Sequence, residues 1–133
     1  MQSRAVYSDL HGEVLAELEA ALQRARSARV PGERIALDPG LGFAKTAEHN
    51  LLLLRRQREL LQLGRPLVIG ASRKSFLGQI DGRPPAERVI VSVACAAACV
   101  LNGATVVRAH DVRETRDAVR VAHAIRHSRT FES

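Results

Sequence analysis

Three short polar groups in this chain are built from residue types that can hold a small ligand. The first is Asp38, ahead of Pro39-Gly40-Leu41-Gly42-Phe43. The second is Ser72-Arg73-Lys74-Ser75, directly after the apolar run Leu67-Val68-Ile69 and the small pair Gly70-Ala71. The third is Arg108 with His110, at the end of Thr105 to Ala109. A carboxylate accepts two hydrogen bonds side by side and so matches an amino-pyrimidine or guanidine edge. A lysine donates to a ring carbonyl or nitrogen. An arginine and a histidine two apart on a strand share a face and suit an anion such as phosphate. Each group also has a plainer reading. Asp38 can be a turn former before Pro39, His110 can orient a loop, Arg108 can pair with Asp111, and the Ser-Arg-Lys-Ser run can be a solvated loop. Three such groups in succession at strand ends favour one shared pocket, because ligands bind at the carboxyl ends of parallel strands.

The elements that must position them alternate. Asp9 or Ser8 caps a helix over Leu10 to Ala28, with Val14, Leu15, Leu18 and Leu22 on one face, and Pro31-Gly32 stops it. Arg34 to Leu37 reads as a strand, and a second helix runs from Thr46 or Ala47 to Leu63, ended by Gly64. Leu67 to Ile69 is the central buried strand. Phe76 to Ile80 is a short helical segment, and the Pro84-Pro85 pair starts a helix from Ala86 to Leu101 with the small interior Ala94 to Ala98. Asn102-Gly103 ends it. After the third strand, Asp111 is a candidate cap for a last helix, Glu114 to Ile125, whose buried face draws on Val112, Ala118, Val119, Val121, Ala122 and Ile125. Strands alternating with helices imply a parallel sheet with right-handed crossovers. The expected fold is therefore α/β, with about three parallel strands and four main helices.

The 133 residues suffice for one domain, and 46% hydrophobic residues with few aromatics imply an aliphatic core. No apolar run reaches membrane-span length, and no apolar signal core follows Met1-Gln2-Ser3-Arg4, so a cytoplasmic protein is expected. The net charge of +6 comes almost wholly from arginine; Lys45 and Lys74 are the only lysines. The arginines are scattered over helix faces without interleaved aromatics, which argues against a specific nucleic-acid partner. Cys95 and Cys99 have no second ligand set near them and read as packing residues in a reducing compartment.

Three motifs then resemble dihydropteroate synthase. They are Leu37-Asp38-Pro39-Gly40-Leu41-Gly42-Phe43-Ala44-Lys45-Thr46 with His49-Asn50-Leu51; Gly70-Ala71-Ser72-Arg73-Lys74-Ser75-Phe76-Leu77-Gly78; and Gly103-Ala104-Thr105-Val106-Val107-Arg108-Ala109-His110-Asp111-Val112. The chain resembles the C-terminal half of that family from Met1 to about residue 126, with a polar tail over 127–133. The resemblance implies part of a (β/α)8 barrel and a transferase of folate biosynthesis. That enzyme joins 4-aminobenzoate to 6-hydroxymethyl-7,8-dihydropterin diphosphate and releases diphosphate. It implies pterin binding by Asp38, Lys74 and Arg108, aminobenzoate binding by Phe43, Arg73 and Ser75, and diphosphate binding by Arg108 and His110. It also implies magnesium, whose principal protein ligand in the family has no counterpart in this chain, and a homodimer through the late helices.

The family's first strand, with its Asn-Val-Thr-Pro-Asp-type loop, and its mid-chain Asp and Asn have no counterpart here. Met1-Gln2 is similar to an internal segment of the family. The expectation is a truncated or split product, or a mis-started reading of a longer frame, inactive without the missing half. The alternatives are a non-catalytic homologue that binds a pterin or docks on a synthase, and a pterin-binding methyltransferase domain. The Ser72 to Ser75 and Arg108 to Asp111 groups argue against the latter.

Overall fold

The computed structural model describes residues 9–128. The expectations for Met1-Gln2, for Ser8 as a cap and for the tail beyond Ser128 lie outside the described residues. Helix α1 spans Leu10–Ser27. Asp9 starts it, its carboxylate accepting the Gly12 N–H at 3.2 Å, with Glu13 in the first turn and Arg24 and Arg26 in the last, which complements the helix dipole. Leu10, Val14, Leu18 and Leu22 form its buried stripe. Helix α2 spans Ala47–Arg55, entered through a reciprocal cap between Thr46 and His49. Helix α3 spans Ser75–Asp81, α4 spans Val89–Leu101 and α5 spans Val112–Arg126.

Two strands, β1 (Val68–Ile69) and β2 (Val106–Val107), pair in parallel with Val68 opposite Val106 and Ile69 opposite Val107. The expected first strand contracts to a single parallel bridge, Leu37 to Leu67. The reason lies on both its flanks. Gly32–Arg34 forms a 3-10 turn that takes the Ile35 N–H onto the Gly32 carbonyl at 3.1 Å. Beyond Leu37, Asp38 turns its carboxylate onto the Gly40 N–H at 2.8 Å, and Pro39 has no N–H to give. Leu37 is what remains to pair. β1 is still the middle element: Val68 N–H donates to Leu37 O at 2.8 Å, while Thr105 and Arg108 N–H donate to Leu67 O and Ile69 O at 3.0 and 2.9 Å.

Other boundaries also shift. The helix expected to run to Leu63 ends at Arg55, and Gln57–Leu63 continues as a 3-10 segment. That tighter winding buries Gln57 and Leu60 together. A 3-10 turn over Pro85–Glu87 replaces the first turn expected of α4. Asp111 precedes α5, yet its side chain makes no cap bond. The broad buried face expected of α5 is also corrected. Thr115 and Ala122 are buried, whereas Val112, Val121 and Ile125 are 66%, 61% and 59% exposed. Against the described residues, α5 presents only a narrow stripe, and the other side of its apolar surface stays open.

The core gathers the α1 stripe with Leu37, Leu53, Leu60, Leu67, Ile69 and Phe76. Among the described residues, no helix is long and apolar enough to cross a membrane. The end of α4 is held from outside the helix. Buried Gln57 donates to Cys99 O and Asn102 O at 2.9 and 3.1 Å, and Arg58 donates to Leu101 O at 2.7 Å. Four carbonyls are left open at any helix end, so this side chain fixes where α4 stops and β2 begins. Gln57→Leu keeps the volume and removes the donor. It is expected to lower stability by about 1–3 kcal/mol in urea unfolding.

Candidate functional site

Because the run from Leu67 to Ile69 pairs in parallel with Leu37 on one side and β2 on the other, the residues that follow each of them leave the sheet at one end. A cavity of 190 Å³ opens there, lined by Gly70, Ser72, Lys74, Arg108, Ala109 and His110. Asp38 stands at its side, with Oδ2 3.8 Å from Arg108 Nη2. Asp38 is thus both a turn former and a neighbour of the cavity. Lys74 extends over the glycine loop, donating to the Leu41 carbonyl, with its ammonium 5.1 Å from the centre of the Phe43 ring. Phe43 is 57% exposed. An aromatic held open beside a cation offers a face to a flat ligand.

The Arg108 guanidinium lies on the Gly70 backbone, where an added Cβ would sit 2.5 Å from Nη2 and push it away. Burial lowers the pKa of Lys74 from its ordinary value, and the Arg108 charge adds to that, while Asp38 opposes it. A cation already crowded by another gains more from an incoming anion or ring acceptor.

Arg73 and Ser75 point elsewhere. Arg73 grips Asp111 in a fork, Nη2 to Oδ1 at 2.8 Å and Nε to Oδ2 at 3.2 Å. Its backbone sits at φ 58°, a left-handed conformation that a non-glycine residue holds only when its neighbours enforce it. Here they do. Its N–H donates to Ser92 Oγ at 2.9 Å, and its carbonyl accepts from Arg88 at 2.9 Å. The Arg108–Asp111 pairing considered from sequence is absent among the described ion pairs; Arg73 takes Asp111 and Arg108 turns to Asp38. Ser75 opens α3 and lines a neighbouring groove of 580 Å³ with Lys45, Thr46, Asn50 and Gln79.

Sequence reasoning assigned no role in the site to Lys45, Asn50 or Ser92. Lys45 is 6% exposed and donates to the Gly40 and Phe43 carbonyls at 2.9 and 3.1 Å. Burial lowers its pKa. Asn50 accepts the Gly42 N–H at 2.8 Å, where φ is 83°, and donates to Thr46 O at 2.9 Å. Together they knot residues 38–46 into a fixed shape. One signal was available: in a chain that otherwise uses arginine for positive charge, both lysines fall beside this site.

The lining is cationic, and among the described residues no three His, Cys, Asp or Glu side chains group as a metal site. The residues present therefore do not fit magnesium on their own.

The fold and the site define an α/β chain with a cationic opening where its parallel strands end. The model of the family described as "Pterin binding enzyme" matches residues 1–110, and the chain belongs to that family. It is 46% identical over 126 residues to the dihydropteroate synthase of Synechocystis sp., covering 94% of this chain and 44% of that protein. The crystal structure of the dihydropteroate synthase of Thermus thermophilus in complex with 4-aminobenzoate superposes with a TM-score of 0.88 at 47% identity. It covers 94% of this chain and 48% of that one. The same enzyme in complex with 6HMPPP gives 0.86 at 47% identity, over 92% and 49%. The chain spans about half the length of the relatives it matches.

The Arg73 guanidinium holds the Asp111 carboxyl below the usual carboxylate range. A depressed folded pKa contributes stability that is complete above the unfolded value of about 3.9 and lost as pH falls through the folded value. The melting temperatures of wild type and Asp111→Asn should differ at pH 7 and converge as pH drops below about 4.

Proposed function

We propose that the chain supplies the pterin and diphosphate subsites of a dihydropteroate synthase, and that its fold is the C-terminal part of a (β/α)8 barrel. One observation carries this reading: Lys74, Arg108 and His110 line one opening at the strand ends, with Asp38 3.8 Å from Arg108. In the proposed roles Asp38 accepts from the amino-pyrimidine edge of 6-hydroxymethyl-7,8-dihydropterin diphosphate. Lys74 donates to the ring, and Arg108 lies between ring and diphosphate. His110 joins Arg108 on the diphosphate. Phe43 flanks the aminobenzoate, with Ser75 and Arg73 at its outer side.

The chemistry suits these groups. The amine of 4-aminobenzoate forms a C–N bond to the pterin methylene as the C–O bond to diphosphate breaks, and the amine loses a proton. Positive charge grows on the methylene and negative charge on the departing group. Fixed cations that grip diphosphate more tightly as its charge grows therefore lower the barrier. Holding the flat ring between Lys74 and Arg108 supplies orientation. Magnesium enters this reading only as an ion brought in from outside the residues described, and no step is assigned to it. The open apolar side of α5 supports a homodimer through the late helices, and two free thiols, Cys95 and Cys99, suit the cytoplasm.

The chain alone is expected to show no turnover, with activity regained on mixing with the separately expressed N-terminal region of a dihydropteroate synthase relative. Lys74→Gln should lower the regained rate by at least about 100-fold. Steady turnover by the purified chain alone would contradict the dependence on a partner region. A mixture that binds pterin and never turns over would favour the non-catalytic alternative. A second variant reads the cradle: Gly70→Ala displaces the Arg108 guanidinium and should weaken pyrophosphate binding about 10–100-fold in calorimetry, corresponding to the loss of one charge-assisted contact.

A further inference from the structure

We infer that Ser72 is a positioning residue whose hydroxyl donates to His110 Nδ1, fixing the imidazole in the tautomer that donates from Nε2 into the strand-tip cavity. The two residues come from different strand ends, 38 positions apart. Ser72 Oγ lies 2.9 Å from His110 Nδ1 and also accepts the backbone N–H of His110 at 3.1 Å. A serine hydroxyl has one proton and two lone pairs. The backbone N–H is a donor by nature and takes one lone pair. If Nδ1 also carried a proton, two donors would converge on Oγ, and the hydroxyl proton would have no acceptor among the described residues. With Nδ1 as acceptor, both protons at this contact, the backbone N–H and the hydroxyl O–H, have a partner, and the remaining ring proton is left to the cavity. The ring proton then sits on Nε2.

The consequence falls on the anion. His110 is exposed and lines the cavity beside Arg108. A neutral imidazole with Nε2–H offers an incoming phosphoryl oxygen a donor, whereas the other tautomer would offer it a lone pair. The backbone bond to the same oxygen ties the His110 main chain to the β1 tip, so one hydroxyl sets both the place and the proton of the ring. Arg73 and Asp111 fork beside it and keep the two loops at that spacing. The structural part of this inference stands on geometry alone; its functional arm rests on the diphosphate reading of the cavity.

The test uses the uniformly 15N-labelled chain at a pH above the titration of imidazole. Long-range 1H–15N correlation spectra report which ring nitrogen is protonated, with His110 assigned by its loss in His110→Gln. The expected wild-type pattern is an acceptor Nδ1 and a protonated Nε2. Ser72→Ala should move the Nδ1 shift towards that of a solvated ring, and Ser72→Thr should keep it. In pyrophosphate titrations Ser72→Ala should bind about 3–10-fold more weakly, the range of one hydrogen bond, and Ser72→Thr should match wild type. A wild-type ring protonated on Nδ1 overturns the inference, as does a Ser72→Ala chain with unchanged ring shifts and unchanged affinity. The wild-type and Ser72→Thr spectra decide the matter even where Ser72→Ala does not fold. An Nε2–H ring in a chain that ignores pyrophosphate would support the tautomer and count against the diphosphate reading.

Discussion

The whole arrangement depends on β1 being hydrogen-bonded in parallel on both sides at once. Leu67 is fully buried, pairs with Leu37, and its carbonyl receives the amides of Thr105 and Val106. In an antiparallel pairing, the ends of adjacent strands would fall on opposite sides of the sheet. Parallel pairing sends Asp38, the Ser72 to Ser75 loop and the Arg108 to Asp111 loop out together. Every proposed role presupposes that register. Only a few ladder bonds enforce it, so much of the burden rests on the aliphatic core beneath, where Leu60, Leu67 and Ile69 are almost wholly removed from water.

A site made this way gathers charges that repel. Lys74 feels the charges of both Arg108 and Lys45, and Asp38 is a carboxylate near all three. The chain limits the repulsion in two ways. Lys45 is engaged by backbone carbonyls and stiffens the loop instead of facing the cavity, and Arg73 is tied to Asp111. What remains open is an arginine on a glycine backbone, a lysine over an aromatic ring and a histidine against a serine hydroxyl. This leaves preorganised donors facing a small opening, the condition under which electrostatic stabilisation costs least reorganisation.

The sequence carried the pattern of alternation and the membership of the polar tips, since Gly64, Gly103 and the Pro84-Pro85 pair punctuate the chain where turns fall. It did not carry the length of the first strand. That depended on where Ile35 and Asp38 send their hydrogen bonds, and the run from Arg34 to Leu37 looks like a strand until those partners are known. Nor did it carry the role of Arg73. Beside Lys74 it reads as a second ligand cation, and only the structure shows it tied to Asp111, 38 residues away. Asn50 and Lys45 stood within a motif, but their roles could not be read for the same reason: a buried polar residue declares its role by its partners, and its type alone does not. The apolar residues of α5 had helical spacing, but spacing cannot say which side of a helix finds a neighbour.

The most direct measurement is a titration of the labelled chain with 6-hydroxymethyl-7,8-dihydropterin diphosphate at millimolar concentration, followed by amide shifts. The account predicts perturbations confined to three segments at once: Asp38 to Phe43, Gly70 to Lys74 and Arg108 to His110. Perturbations centred on one segment alone, or on the outer faces of α4 and α5, would contradict it.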